Sequence, residues 1–265
     1  MYMDVKFSKS NKLRNKLLAA QYKQMKQWFR KAYRLIQEKI ASAGLKISDG
    51  NLTAVEVQKL KSLLKFIVKS YSELIPKIED GIKEDMYVLT DSIAQEGKKK
   101  TGVTIDKKEL IMSVVTGAIY DSNWTLHKAV AHFPKEIQKL IETIIQDGIS
   151  EGKSADEITK TILSVLDPDA TESQRSYKAK SGTVYTGAVY SNVHRITVTT
   201  IVHDYQQAVI AVANQLPGTV YIRWISALAP NTCELCEQRH NQLFEPADVP
   251  LEHPNGQCEL EIVIM

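Results

Sequence analysis

The sequence predicts a mainly α-helical protein, with long helices in a basic amino-terminal lobe, a helical middle region and a small α+β module at the carboxyl end. Three observations carry this prediction. Apolar residues recur at three- and four-residue intervals through most of the first 166 positions. The longest such run contains neither proline nor glycine. Over Thr219 to Ser226 the period shortens to two.

The first helix is read over Asn11 to Ala43, where Leu13, Leu17, Leu18, Met25, Trp28, Phe29, Leu35, Ile36 and Ile40 form an apolar stripe and Gly44 ends it. A capping box at Thr53 and Glu56 starts a second helix, and Pro76 kinks or interrupts the pattern before it resumes at Ile78. Lys98, Lys99, Lys100, Thr101 and Gly102 read as polar punctuation at a lobe boundary. Helices are then expected over Lys107 to His127, over Pro134 to Gly148 with the proline in the first turn, and over Ala155 to Leu166 behind a second capping box, Ser154 and Glu157.

Asp169 to Thr183 is polar and reads as an exposed loop. Val184 to Gln215 fits a helix by period, yet its density of valine, isoleucine and threonine also suits strands. Thr219 to Ser226 alternates as a strand, with Glu259 to Met265 as its partner. The resulting division is a basic helical lobe over residues 1–100, a helical middle over 101–170, and a long helix plus β-containing module over 171–265.

Composition excludes some classes. With 43% hydrophobic and 25% charged residues over 265 positions, disorder throughout is excluded and two lobes are expected. The longest wholly apolar run, Ala208 to Ala213, is six residues, against the ~18 that a spanning helix needs. The basic amino terminus lacks an apolar core followed by a cleavage site, which predicts an intracellular chain. The net charge of +3 conceals an asymmetry: residues 1–108 carry 23 basic and 12 acidic side chains, and the remainder 11 and 19. A lobe so basic suits an anionic partner, most simply the DNA backbone bound through counterion release. The candidate contacts are Lys12, Lys16, Lys23, Lys26, Arg30 and Arg34. Tyr22, Trp28, Phe29 and Tyr33 lie among them, either as core or as platforms for single-stranded bases. An anionic membrane surface is the alternative partner for this helix.

All three cysteines lie in the last 33 residues, which argues against a disulfide framework and for metal. Cys233 and Cys236 are separated by two residues; sixteen residues later His253 precedes Cys258 by five positions. Two thiolates from a CxxC turn and a histidine and thiolate from the returning chain can close a tetrahedral Cys3His zinc site. With all four positions filled by protein, such a site is structural and stands in for a core that a 40-residue module is too small to build. His240 is an alternative fourth ligand. A redox CxxC is disfavoured because no βαβ unit surrounds it.

Around these residues the chain resembles the phage head morphogenesis family, the minor head proteins similar to the F protein of phage Mu. In that family a tryptophan-containing strand leads to Thr-Cys-x-x-Cys and then to a closing His-Pro-x-Cys-Arg-Cys. Trp224, Thr232, Cys233, Cys236, His253, Pro254 and Cys258 occupy those places. Thr199, Thr200 and Tyr205 loosely match an Arg-Thr-Glu-like patch and Tyr-Asn pair, with Thr200 in the place of the acid and Gln206 in that of the Asn. Ala229 replaces a usual acid, and Gly256 the first closing cysteine. The match covers roughly residues 150–262 and is specific in its last 40.

The resemblance implies a structural virion component without enzymatic activity or small-molecule substrate, in the head interior or near the portal. It further implies contacts with the portal protein, other capsid proteins and phage DNA in head assembly and DNA packaging or ejection, and residence in the host cytoplasm during assembly. The competing expectation is a zinc-supported DNA-binding or nuclease enzyme of the ββα-metal type, in which Glu252 and His253 begin the site and a helix with further ligands follows.

Overall fold

The computed structural model describes residues 3–45, 52–116, 126–185, 188–230 and 232–265, and these are mainly helical with a small carboxy-terminal strand module. In order they form β1 (Met3–Lys6), α1 (Ser8–Ser42), α2 (Ala54–Ser72), α3 (Ile75–Thr101), α4 (Lys107–Thr116), α5 (Leu126–Ser150), α6 (Ala155–Leu166), β2 (Tyr177–Lys178), β3 (Val184–Tyr185), α7 (Ala188–Asn214), β4 (Val220–Ile225), α8 (Glu234–Arg239), β5 (Leu243–Phe244) and β6 (Glu259–Ile264).

The helix starts follow their caps. Thr53 and Ser154 each form a reciprocal capping box, with Glu56 and Glu157. Pro76 falls in the first turn of α3, where its missing N–H loses no bond. α1 has no acidic residue in its own first turn. Glu96 of α3 serves instead: its carboxylate accepts the Lys9 N–H at 3.3 Å and the Ser10 N–H and hydroxyl at 2.9 Å each. Burial alone would raise the Glu96 pKa, but these hydrogen bonds outweigh it and hold the carboxyl below its ordinary value.

Several sequence-based expectations are corrected. Lys98, Lys99 and Lys100 do not punctuate the chain; they form the last turn of α3, where cations favour the helix dipole, and the helix ends one step later at Gly102 with φ +74°. Pro134 lies inside α5, which begins at Leu126, rather than in a first turn. The loop over Asp169 to Thr183 contains part of the β2–β3 hairpin. Asp147 accepts the Tyr177 hydroxyl at 2.8 Å and the Lys180 N–H at 3.0 Å and ties this segment down. The part of the expected fourth helix over 117–125 lies outside the described residues.

Two compact units emerge, one from residues 1–21, 79–127 and 195–265, the other from 22–78 and 128–194. They interleave along the chain. In the first unit a four-stranded antiparallel sheet runs in the order β1-β6-β4-β5. Ile262 of β6 pairs with Val5 on one side and Ile222 on the other, and all three are buried. Trp224 and Leu260 form the next buried row. The second half of α7 is buried around most of its circumference, including Val202, Tyr205, Val209 and Val212. A Cβ at Gly97 would sit 3.3 Å from the Val212 side chain, so glycine there sets how closely α3 approaches α7.

The second unit is centred on an aromatic cluster. Phe29 lies 5.5 Å from Tyr71, 5.9 Å from Phe133 and 5.2 Å from Tyr190 between ring centroids. Ile36, Leu60, Leu63 and Ile67 extend this core. Of the four aromatics near the basic stripe, Phe29 is thus core, whereas Tyr22 is 41% exposed.

Candidate metal centre

The strand module brings the knuckle and the returning chain together. β4 ends at Ile225, whose register partner in β6 is Glu259, so Cys258 arrives at the end of β4. Between them Cys233 caps α8: its Sγ accepts the Cys236 N–H at 3.4 Å, which folds the CxxC into one turn. The Arg239 guanidinium of α8 lies 5.2 Å over the ring of the buried Trp224 and fastens the knuckle to β4. The return runs through β5 and a short 3-10 turn to Glu252, His253 and Pro254. Asn255 at φ +63° then reverses the chain, and its N–H is accepted by Thr199 Oγ1 of α7 at 3.2 Å.

Cys233, Cys236 and His253 place their ligand atoms within 4.8 Å of one another, a Cys/His cluster able to hold a metal ion. His253 Nε2 is 3.3 Å from Cys233 Sγ. Cys258 joins Cys236 and Glu252 in a second triad of the same span, so the four residues expected from spacing meet through Cys236. Cys233, Cys236, His253 and Cys258 also line one cleft of about 250 Å³. His240, the alternative ligand, is engaged elsewhere: its Nδ1 accepts the Ser226 N–H at 3.1 Å. His253 is followed by β6 rather than by the helix that a ββα-metal nuclease requires.

The thiols are not equivalent. The Cys236 N–H, and after it His253, lowers the pKa of exposed Cys233, while burial raises those of Cys236 and Cys258. A cation held by these residues would offset that burial and take the place of the thiol protons, so its uptake would release protons.

Two residues complete the site that spacing did not reveal. Arg14 of α1 is 2% exposed, with its guanidinium 4.8 Å from the Tyr205 ring centre. It donates to the carbonyls of Cys258 at 3.2 Å and Gln257 at 3.3 Å. The available signal was its position: Arg14 lies in register with the buried face of α1 at Gln21, Met25 and Phe29, unlike the exposed lysines around it. The second is Glu252, which is 5% exposed. Comparison of the chain with protein-family models, curated proteins and solved structures found no match.

The six basic residues of α1 recur at intervals of 4, 7, 3, 4 and 4, which places them within an arc of about 80° on one helix. Lys26 and Arg30 are engaged by Asp169, at 3.0 and 2.6 Å. Hydrogen bonds from Arg30, joined by Lys26, pull the Asp169 pKa down to about 2. Lys12, Lys16, Lys23 and Arg34 are exposed and have no acidic partner among the described residues. No described helix is long and apolar enough to cross a membrane.

Proposed function

We propose that this chain is a structural minor head protein of a tailed phage particle, placed in the head near the portal and active in head assembly and DNA packaging or ejection. The observation that carries the proposal is the order Trp224, Thr232-Cys233-x-x-Cys236, His253-Pro254, Cys258, which resembles the family's closing module in both residue types and sequence. Zinc suits the donor set of two or three thiolates and an imidazole. Cys233, Cys236 and His253 would hold it, with Cys258 and Glu252 both near the remaining position. Its contribution is structural: it ties the knuckle to the returning chain in a module too small to rely on its own apolar core.

The basic stripe supplies the second half of the proposal. Lys12, Lys16, Lys23 and Arg34 contact DNA phosphates without reading sequence, and Lys26 and Arg30 join them when Asp169 yields.

The test is mass spectrometry of gradient-purified, DNA-filled particles with crosslinking. Fixed stoichiometry and crosslinks to the portal protein are expected. Absence from both filled particles and empty precursors contradicts the proposal and returns a DNA-processing enzyme to first place.

A further inference from the structure

Glu252 is the donor that spacing does not explain. Its side chain is buried, and among the described residues no lysine or arginine lies within ion-pair distance of it. Buried carboxylates are paired with a cation or bound to a metal.

Its two oxygens have different surroundings. Oε2 accepts the Cys258 N–H at 2.9 Å and the Gln206 side-chain amide at 3.4 Å, and these fix the carboxyl plane. Oε1 accepts the His253 N–H at 3.2 Å and faces the candidate ligands, 3.7 Å from Cys236 Sγ and 3.6 Å from His253 Nε2. Gly256 leaves the room for this: a Cβ built there would overlap the Glu252 carboxyl group. Cys258 Sγ shares a group of 4.8 Å span with Cys236 and Glu252 and also lies 3.8 Å from Ser226 Oγ.

We propose that Glu252 Oε1 is the fourth ligand of the centre, so that the ion is held by Cys233, Cys236, His253 and Glu252, with Cys258 as a neighbouring thiol outside the ligand set. The proposal rests on the metal reading given above. Ligand atoms on a tetrahedral zinc stand about 3.3 to 3.8 Å apart, from bond lengths of about 2.0 to 2.3 Å. The separations of 3.3 Å for Cys233 to His253, 3.6 Å for His253 to Glu252 and 3.7 Å for Glu252 to Cys236 fall in that range; Cys233 and Glu252 belong to two different groups of 4.8 Å span joined through Cys236, and the ion would draw them together. The hydrogen bonds to Oε2 then act as the outer support that orients a metal-binding carboxylate.

The test is zinc-edge X-ray absorption on the full chain loaded with zinc alone. Two sulfur and two nitrogen or oxygen neighbours are expected; three sulfurs and one nitrogen overturn the proposal while leaving the metal reading intact. Glu252→Gln, which keeps an acceptor for the Cys258 N–H, is expected to weaken zinc binding at least 100-fold, and Cys258→Ser less than 10-fold, with the far-ultraviolet circular dichroism of both unchanged. The reverse ranking overturns the assignment. A wild-type chain that takes up no zinc overturns the metal reading and this proposal together.

Discussion

Arg14 donates to the carbonyl of Cys258 at 3.2 Å across 244 residues of sequence, while the N–H of the same Cys258 is held by Glu252 at 2.9 Å. Cys258, the residue just before β6 and beside the candidate metal site, is therefore clamped from both sides of its backbone, and a helix counted as basic surface supplies one of the clamps.

Replacing Arg14 by Met keeps most of the volume but leaves the buried Cys258 carbonyl and the part-buried Gln257 carbonyl without their donor. The expected cost is about 2 to 4 kcal/mol of stability, together with weaker zinc binding, because the Cys258 peptide also positions Glu252. Lysine does not restore it, since a single ammonium cannot replace the two-pronged guanidinium contact. Urea unfolding and zinc titration of the three proteins check this; a wild-type midpoint for Arg14→Met would refute the clamp.

Glu96→Ala removes the cap that α1 borrows from α3, at a cost of about 1 to 2 kcal/mol. Because the folded pKa of Glu96 is lowered, its contribution is complete at neutral pH and is lost as pH falls through that lowered value. The difference in unfolding free energy between Glu96→Ala and wild type is therefore expected to shrink in acid. A difference that does not depend on pH would contradict the cap.

Asp204 behaves in the opposite sense. Burial raises its pKa from 3.8 to about 6, with the nearby His203 offsetting only part, and Oδ2 has no hydrogen-bond partner among the described residues. The folded chain thus retains a proton that the unfolded chain gives up, so stability falls as pH rises from about 4 to about 6 and stays lower above that window. Asp204→Asn is expected to remove this loss, a gain on the order of 2 to 3 kcal/mol at pH 7. Thermal unfolding against pH measures it; identical profiles for variant and wild type would refute it.

Charge reversal at Lys12, Lys16 and Lys23 is expected to weaken binding to duplex DNA and to reduce the slope of log K against log salt by about 3. Asp169→Asn, which releases Lys26 and Arg30, is expected to steepen it. An unchanged slope in the triple variant would remove α1 as the DNA-contacting element.

The legible features were those encoded locally. Both capping boxes, the α1 stripe, the β4–β6 strand pair and the CxxC knuckle announce themselves within a few residues of sequence. α7 stayed ambiguous for a physical reason: buried on nearly every side, its second half has no polar face to give it a period, and its threonines satisfy themselves by bonding the carbonyl four residues back. β1 is four residues long and exists through a partner at the far end of the chain. Arg14 and Glu252 are single charged residues whose roles depend on which distant backbone they meet, which no window along the chain reveals.

The most direct measurement is native mass spectrometry of the full chain, purified without chelator, alongside limited proteolysis of wild type and Cys233→Ser. One zinc per wild-type chain, and selective cleavage after about residue 216 in Cys233→Ser and in chelated wild type, is the predicted result. A metal-free wild-type chain whose strand module resists protease as well as before chelation would contradict a metal-closed module.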